Sequence, residues 1–336
     1  KISLNSAYGA LGNIYFRWYD RNLAEAITLA GQLSIRTAEI AVNKWLNSYF
    51  KNSKDYVIAA DTDSIYIHLE DMVNDRFKDL PFDPDEKEVV KFLDKLGDGP
   101  LQDVIDNCYN DLASYVNAFE QKMFMKREGI SSKGIWTAKK HYILNVWNNE
   151  GVQYEKPKLK MMGIEAVKSS TPSVCRDKLK KAFDIIMNKD EAFLQDFVKK
   201  FKVEYHSLPV EDICFPRGVK GLAKYRDKKS LYKTGTPIHV RGSLLYNNAL
   251  EKYKVGQKYE KIQEGEKIKF TYLKIPNPTH ENVIAMVDGL PKEFGLDQYV
   301  DRDMMFHKTY EEPLNDIVEK IGWSLEKKNS LEDFFA

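Results

Sequence analysis

Residues 56–69 read Tyr56-Val57-Ile58-Ala59-Ala60-Asp61-Thr62-Asp63-Ser64-Ile65-Tyr66-Ile67-His68-Leu69. Strand formers flank a polar centre, which predicts a β-hairpin with carboxylates at its turn. Side chains two apart in a strand share a face, so Asp61 and Asp63 can point the same way. Two carboxylates held together in an apolar hairpin repel each other unless a cation offsets them. Oxygen ligands suit Mg²⁺, which takes one or two carboxylates together with substrate phosphates. Such a pair suits two-metal phosphoryl or nucleotidyl transfer. A bare Asp-x-Asp is more often a polar turn with two solvated side chains. Here the flanks Val57–Ala60 and Ile65–Ile67 are expected to bury the hairpin.

Upstream, Asn22–Trp45 carries Ala, Leu, Ile and Gln at helical spacing. Gly9, Gly12 and Asn13 interrupt the segment before it, so two helices joined by a turn are expected. Lys1, Asn5 and Tyr8 fall at i, i+4 and i+7 of the first helix and form one stripe. Lysine supplies a point charge suited to phosphate, asparagine supplies amide donors, and tyrosine a flat amphipathic surface. Taken alone, the stripe reads equally well as a helix end with an ordinary exposed lysine. The chain opens on Lys rather than Met, directly in helix-like sequence, and is expected to be a piece of a longer protein.

Downstream, Asp71–Pro100 is acidic and broken by Pro81, Pro84, Gly97 and Gly99, a loop with at least one short helix. Leu101–Phe119 reads as helix. Phe124–Ile130 and Gly134–Trp147 read as strands, with a turn at Asn148–Gly151 before Val152–Tyr154. Ser169-Ser170-Thr171-Pro172 starts a mostly helical half, beginning with Asp177–Asn188 and Ala192–Phe201. A domain boundary is expected near Gly163.

The 336 residues hold 51 basic and 50 acidic side chains, a net charge of +1 that hides strong local imbalance. Glu70–Glu120 has 14 acidic against 5 basic residues, and reads as a solvated insertion. Gln121–Lys180 has 13 basic against 5 acidic, and Pro216–Arg241 has 8 against 1. Local charge is what a polyanion meets, although each block can also be a solvated surface. An apolar fraction of 43% excludes wholesale disorder. No run approaches the ~18 apolar residues of a membrane helix. Cys108, Cys175 and Cys214 form no CxxC, which argues against a disulfide framework or zinc site. His68, His206, His280 and His307 are isolated and are not read as ligands. Trp18, Trp45, Trp136, Trp147 and Trp323 are expected in packing, and Met161-Met162 in core gaps.

Lys1-x3-Asn5-Ser6-x-Tyr8-Gly9, followed some fifty residues later by Asp61-Thr62-Asp63-Ser64, resembles motifs B and C of family B DNA polymerases. Lys139-Lys140-His141-Tyr142 is similar to the family's Lys-Lys-Arg-Tyr motif. Arg127–Ser131, Lys158–Glu165, Ser169–Pro172 and Pro237–Gly242 match in the same order. The flavour is that of T-even-type phage replicative polymerases, and the match runs essentially end to end.

The resemblance implies an α+β fold. Residues 1–13 would end a fingers helix, and 14–163 would form the C-terminal part of the palm, with an antiparallel sheet carrying the hairpin. Residues 164–336 would form a mostly helical thumb ending in a clamp-binding tail. It implies template-directed DNA synthesis from deoxynucleoside triphosphates with two Mg²⁺ ions. Asp61 and Asp63 would be the catalytic carboxylates at the metals, with Glu128 nearby. Lys1, Asn5, Tyr8, Gly9 and Thr62 would form the nucleotide-binding set: Lys1 and Asn5 would hold the triphosphate, Tyr8 and Gly9 would border the nascent base pair, and Thr62 would lie between the two carboxylates. Lys139, Lys140, His141, Tyr142, Lys160 and Arg241 would grip primer–template DNA. Leu331, Phe334 and Phe335 would dock on a sliding clamp, although a tail folded back on the thumb is an equal alternative. The implied setting is the cytoplasm of an infected bacterial cell.

The sequence departs from the family at Ala60, where Gly is usual, and at His141, which replaces Arg and loses a permanent charge. Motif A, the source of another metal-binding carboxylate, and the exonuclease motifs are absent from it. They would come from an N-terminal polymerase portion. Two alternatives follow: a non-catalytic DNA- and clamp-binding half that needs that partner, and an unrelated Mg²⁺-dependent phosphotransferase. They differ in a measurable way. A DNA-binding chain should bind duplex with an affinity that falls linearly, on logarithmic axes, as salt rises. The unrelated phosphotransferase should show no such binding in a fluorescence anisotropy titration.

Overall fold

The computed structural model describes residues 2–327. Lys1, Leu331, Phe334 and Phe335 lie outside them. The chain divides into two compact units. One holds the residues up to Ser132 together with Asn145–Lys158; the other holds Lys133–Leu144 and the chain from Leu159 onward.

The first unit is organised by a long helix. Helix α1 (Ile2–Leu11) and helix α2 (Arg21–Phe50) are separated by the turn expected at Gly12-Asn13. Asp20 caps α2 by accepting the Leu23 N–H at 3.0 Å, and Lys51 ends it in a left-handed conformation, φ 53°. From Ser34 onward it buries Ser34, Ala38, Val42 and Leu46, a stripe at spacing four. Strand β1 (Val57–Asp61) pairs antiparallel with β2 (Ser64–Ile67). Helices α3 (Glu70–Phe77), α4 (Glu86–Asp98) and α5 (Pro100–Tyr115) follow.

The acidic stretch is therefore not only a solvated insertion. Helix α5 turns Leu101, Ile105, Cys108 and Tyr109 into the core formed by α2. Its carboxylates stand on the other side. Counting charges hid an amphipathic helix.

Strands β3 (Gly129–Ala138), β4 (His141–Asn149) and β5 (Val152–Met162) form a sheet in that order, and their tight connections make neighbours antiparallel. Two expectations are corrected here. Phe124–Glu128 is not strand, and the single strand over Gly134–Trp147 is two, folded back at Lys139-Lys140. Lys140 takes the left-handed conformation, φ 63°, with no Gly, Asn or Asp to announce the turn. The turn at Glu150-Gly151 is where it was expected, with both residues at positive φ, the type I′ signature.

The second unit begins its helical part with α6 (Ser173–Asn188) and α7 (Glu191–Ser207). It is less purely helical than its composition suggests. After the short α8 (Val210–Ile213) comes β6 (Phe215–Gly218), then α9 (Leu222–Tyr225) and the small hairpin β7 (Arg226–Asp227) and β8 (Leu231–Tyr232). Helix α10 (Ile238–Lys252), β9 (Lys267–Tyr272) and β10 (Val283–Met286) complete an antiparallel sheet of order β10-β9-β6. Helix α10 lies on β10. A Cβ at Gly242 would stand 3.0 Å from the Ala285 nitrogen, so glycine permits that approach.

Helices α11 (Arg302–Phe306) and α12 (Glu312–Val318) flank one π-helical turn, His307–Glu311. There Phe201, Tyr205, Phe306 and Tyr310 pack ring against ring, with centroids 4.7–5.8 Å apart. Thr309 satisfies its buried hydroxyl on the Met305 carbonyl at 2.7 Å. Burial pushes the neighbouring Cys175 thiol up to about 11, so it behaves as an inert core residue. Not every tryptophan packs: Trp147 is buried, but Trp18 is 65% exposed. Met161 packs against this unit's core, while Met162 is exposed.

Gly163 tests the packing around β5. Its φ is 69°, and a Cβ there would meet His141 Cδ2 at 2.2 Å and the Lys140 carbonyl oxygen at 2.4 Å. Gly163→Ala should destabilise the protein by about 2–4 kcal/mol, combining overpacking with left-handed strain. Urea unfolding should show this as a lower midpoint at an unchanged slope.

Candidate active site

The hairpin is held at its base by amide side chains. Asn43 Oδ1 accepts the Tyr56 N–H at 2.7 Å, and its Nδ2 donates to Asp55 at 2.9 Å. One helical turn on, Asn47 accepts the Lys54 N–H at 2.8 Å and donates to the Lys54 carbonyl at 2.9 Å. Spacing four on α2 puts the two amides on one stripe. Lys54 Nζ at 2.6 Å and the Tyr56 hydroxyl at 2.9 Å both donate to Asp71 of α3. The hydrogen bond from Lys54, then that from Tyr56, holds the Asp71 carboxyl below the usual carboxylate range. This contribution is present above the unfolded carboxylate pKa and is lost as pH falls through the lower folded value.

At the other end sits the turn. Asp61 closes β1, and Thr62-Asp63 form the loop before Ser64. The two carboxylates are thus not two positions of one strand, as alternation implies. Thr62 has φ 55°, and the Asp63 N–H donates to the Asp61 carbonyl at 2.6 Å, a three-residue γ-turn. For a β-branched residue this conformation is an outlier, worth of order 1–3 kcal/mol of strain. Asp61 is half-buried and Asp63 exposed. The flanks bury the hairpin less than expected: Val57 is buried, but Ile58 is 50% exposed. Among the described residues, β1 and β2 pair only with each other.

The donor set fits a magnesium ion in part. Two carboxylates one residue apart offer hard oxygen ligands. No group of three or more His, Cys, Asp or Glu that could hold a metal exists among the described residues. Two carboxylates with room for phosphate oxygens match the habit of Mg²⁺, not that of a closed protein cage. Glu128 is not gathered with the pair into such a group. It lies immediately before β3, where its carbonyl accepts the Glu150 N–H at 2.6 Å. Its neighbour Arg127, with a side chain only 12% exposed, pairs with Asp94 at 2.5 Å and donates to Asn148 at 3.0 Å.

The other expected residues lie as follows. Asn5, Tyr8 and Gly9 are exposed on α1, a helix with no buried side chain. Lys139 and Lys140 form the exposed β3–β4 turn, His141 is half-buried, and Tyr142 is buried at 6% exposure, its ring 6.4 Å from Trp136. Lys160 lies on β5, near the Gly163 that packs against Lys140 and His141. Arg241 of α10 donates to Asn282 and lies 5.7 Å over the Tyr232 ring. Residue-by-residue reading missed Lys228 and Lys229, exposed at the tip of the β7–β8 hairpin. Asp227 shapes that tip by accepting the Lys229 and Ser230 N–H groups at 3.0 and 2.9 Å. Asp-Lys-Lys-Ser, a carboxylate two and three residues before the amides it accepts, was the available signal.

One unit carries the acidic turn, and the other carries the exposed lysine-bearing turns. No protein-family model matches the chain. Two DNA-directed DNA polymerases are similar to it along its whole length. That of Enterobacteria phage T4 is 35% identical over 353 aligned residues, covering 100% of this chain and 38% of the phage protein. That of Escherichia phage RB69 is 36% identical over 349, again covering 100% of this chain and 38% of the phage protein. The chain therefore spans less than half the length of these relatives. Its similarity is consistent with the C-terminal part of a T-even-type family B DNA polymerase. No helix among the described residues is long and apolar enough to cross a membrane.

The base of the hairpin is open to test. Asn43→Ala leaves the partly buried Tyr56 N–H without its acceptor and should cost about 1–3 kcal/mol. Hydrogen exchange at Tyr56 and Val57 should accelerate in the variant, while amides of α7 keep their protection.

Proposed function

We propose that this chain supplies part of the active site and of the DNA-binding surface of a template-directed DNA polymerase. The Asp61-Thr62-Asp63 turn, in a chain similar from end to end to phage DNA polymerases, carries the reading. Asp61 and Asp63 would hold Mg²⁺, whose charge activates a primer 3′-hydroxyl and offsets charge on the reacting phosphates. Lys1 and Asn5 offer the triphosphate an ammonium and amide donors. Tyr8 and Gly9 border the base pair being formed, and Thr62 lies between the carboxylates. Lys139 and Lys140 meet DNA phosphates directly, His141 adds a titratable donor, and buried Tyr142 supports the turn they stand on. Lys160 and Arg241 extend the same contact, with Arg241 pre-oriented by Asn282 and Tyr232. Contacts of this kind position a duplex without reading its sequence, as a polymerase requires. Glu128 near the metals, and Leu331, Phe334 and Phe335 on a sliding clamp, are carried by the family resemblance.

The palm reading extends to residues 14–163 and the thumb reading to residues 164–336. The first half of α2 supports an N-terminal polymerase portion as partner. Leu23, Ile27, Leu29 and Leu33 are exposed there, after exposed Tyr15 and Trp18, and the first side chain that α2 buries is Ser34. An apolar surface of that extent calls for a cover. That portion would also bring the carboxylate that the described residues lack. A second reading follows from the same observation: without that portion the chain binds DNA and clamp but does not catalyse.

In a polymerase containing this chain, Asp63→Asn should reduce primer extension with Mg²⁺ by about a thousand-fold or more. Duplex affinity should stay within about three-fold, because lysines make the phosphate contacts. Loss of duplex binding with extension retained would sink the assignment. Extension by the chain alone would remove the need for the partner.

A further inference from the structure

We propose that Thr62 is a positioning residue that locks the two carboxylates of the hairpin into a metal-ready arrangement and makes no contact of its own with the nucleotide. The inference rests on the reading of Asp61 and Asp63 as metal ligands given above. Three observations at the turn carry it. Thr62 stands in the left-handed region at φ 55°, where a Cβ branch is unfavourable. The Asp63 N–H closes onto the Asp61 carbonyl at 2.6 Å, so this conformation is what reverses the chain between the two acids. The Thr62 hydroxyl donates to Asp61 Oδ1 at 3.0 Å, while Ser64 Oγ donates to the Asp61 carbonyl at 3.2 Å.

Glycine would occupy the left-handed position at no steric cost, and asparagine at little. Neither would place a hydroxyl on the preceding carboxylate from a side chain with few rotamers. The hydroxyl holds one Asp61 oxygen, and the γ-turn sets the direction of Asp63. The arrangement exists before a metal arrives, so binding need not order it.

The test uses Mn²⁺ as probe, titrated into the full chain without nucleotide and followed by electron paramagnetic resonance. Thr62→Val is isosteric and keeps the branch but removes the donor. It should weaken Mn²⁺ binding roughly five- to ten-fold, the net scale of one hydrogen bond. Thr62→Ser should stay within about two-fold of the parent, because the donor returns. Thr62→Gly should weaken binding at least as much as Val, without lowering the melting temperature, since the strain is released. A role confined to folding would instead lower the melting temperature in step with affinity. Direct nucleotide contact would leave Mn²⁺ binding untouched and raise only the KM for nucleotide. Asp63→Asn serves as the control. If it abolishes Mn²⁺ binding while Thr62→Val does not, or if Ser fails to restore what Val loses, positioning by Thr62 is wrong and the metal reading stands. If Asp63→Asn leaves Mn²⁺ binding intact, the metal reading and this proposal fall together.

Discussion

The amides of Asn43 and Asn47 hold the start of β1 against α2, and the acidic hairpin depends on that grip. An isolated two-stranded hairpin is marginal in water, because two strands bury too little and leave backbone groups unpaired. Here the backbone of Lys54 and Tyr56 pairs with side chains of a helix instead of a third strand. The helix is anchored in turn by Ala38, Val42 and Leu46, all fully buried against α5 and the hairpin. Fully burying Val42 or Leu46 is worth about 1.5–3 kcal/mol relative to exposure, and Ala38 less. The acidic turn is thus carried by a rigid element, and its own residues are freed from stabilising the fold.

That freedom is visible at Thr62. Most of the molecule obeys local rules: Asp20, Asp190 and Asp301 cap helices through their carboxylates, and Gly151, Gly163 and Gly295 take left-handed positions. Thr62 and Lys140 do not. Both take left-handed conformations without the residue type that does so cheaply, as Lys51, Glu150, Leu231, Lys254 and His280 also do elsewhere in the chain.

Other features were hidden from the sequence for identifiable reasons. The fold-back at Lys139-Lys140 carries none of the usual turn residues, so two strands read as one. The sheet β10-β9-β6 is built from strands of four to six residues drawn from positions 215 to 286. Pairing over that separation leaves no local periodicity. The core role of α5 was masked by the carboxylates on its far face. Phe124–Glu128, where only Phe124 is a strand former, finds no strand partner among the described residues.

The hairpin, the break between α1 and α2, helices α6 and α7 and the acidic pair at the turn were legible in the order of residues alone. Each rests on periodicity or spacing over a dozen residues or fewer, and short-range sterics enforce those. The motif order also announced the polymerase resemblance. Only the tertiary structure decided that Asp61 and Asp63 are joined by a γ-turn, that Tyr142 is buried, and that a Cβ at Gly163 would collide with His141. It also decided which half of α2 is core and which half is bare. Those properties depend on contacts between segments distant in the chain, and such contacts leave no trace in the spacing of neighbours.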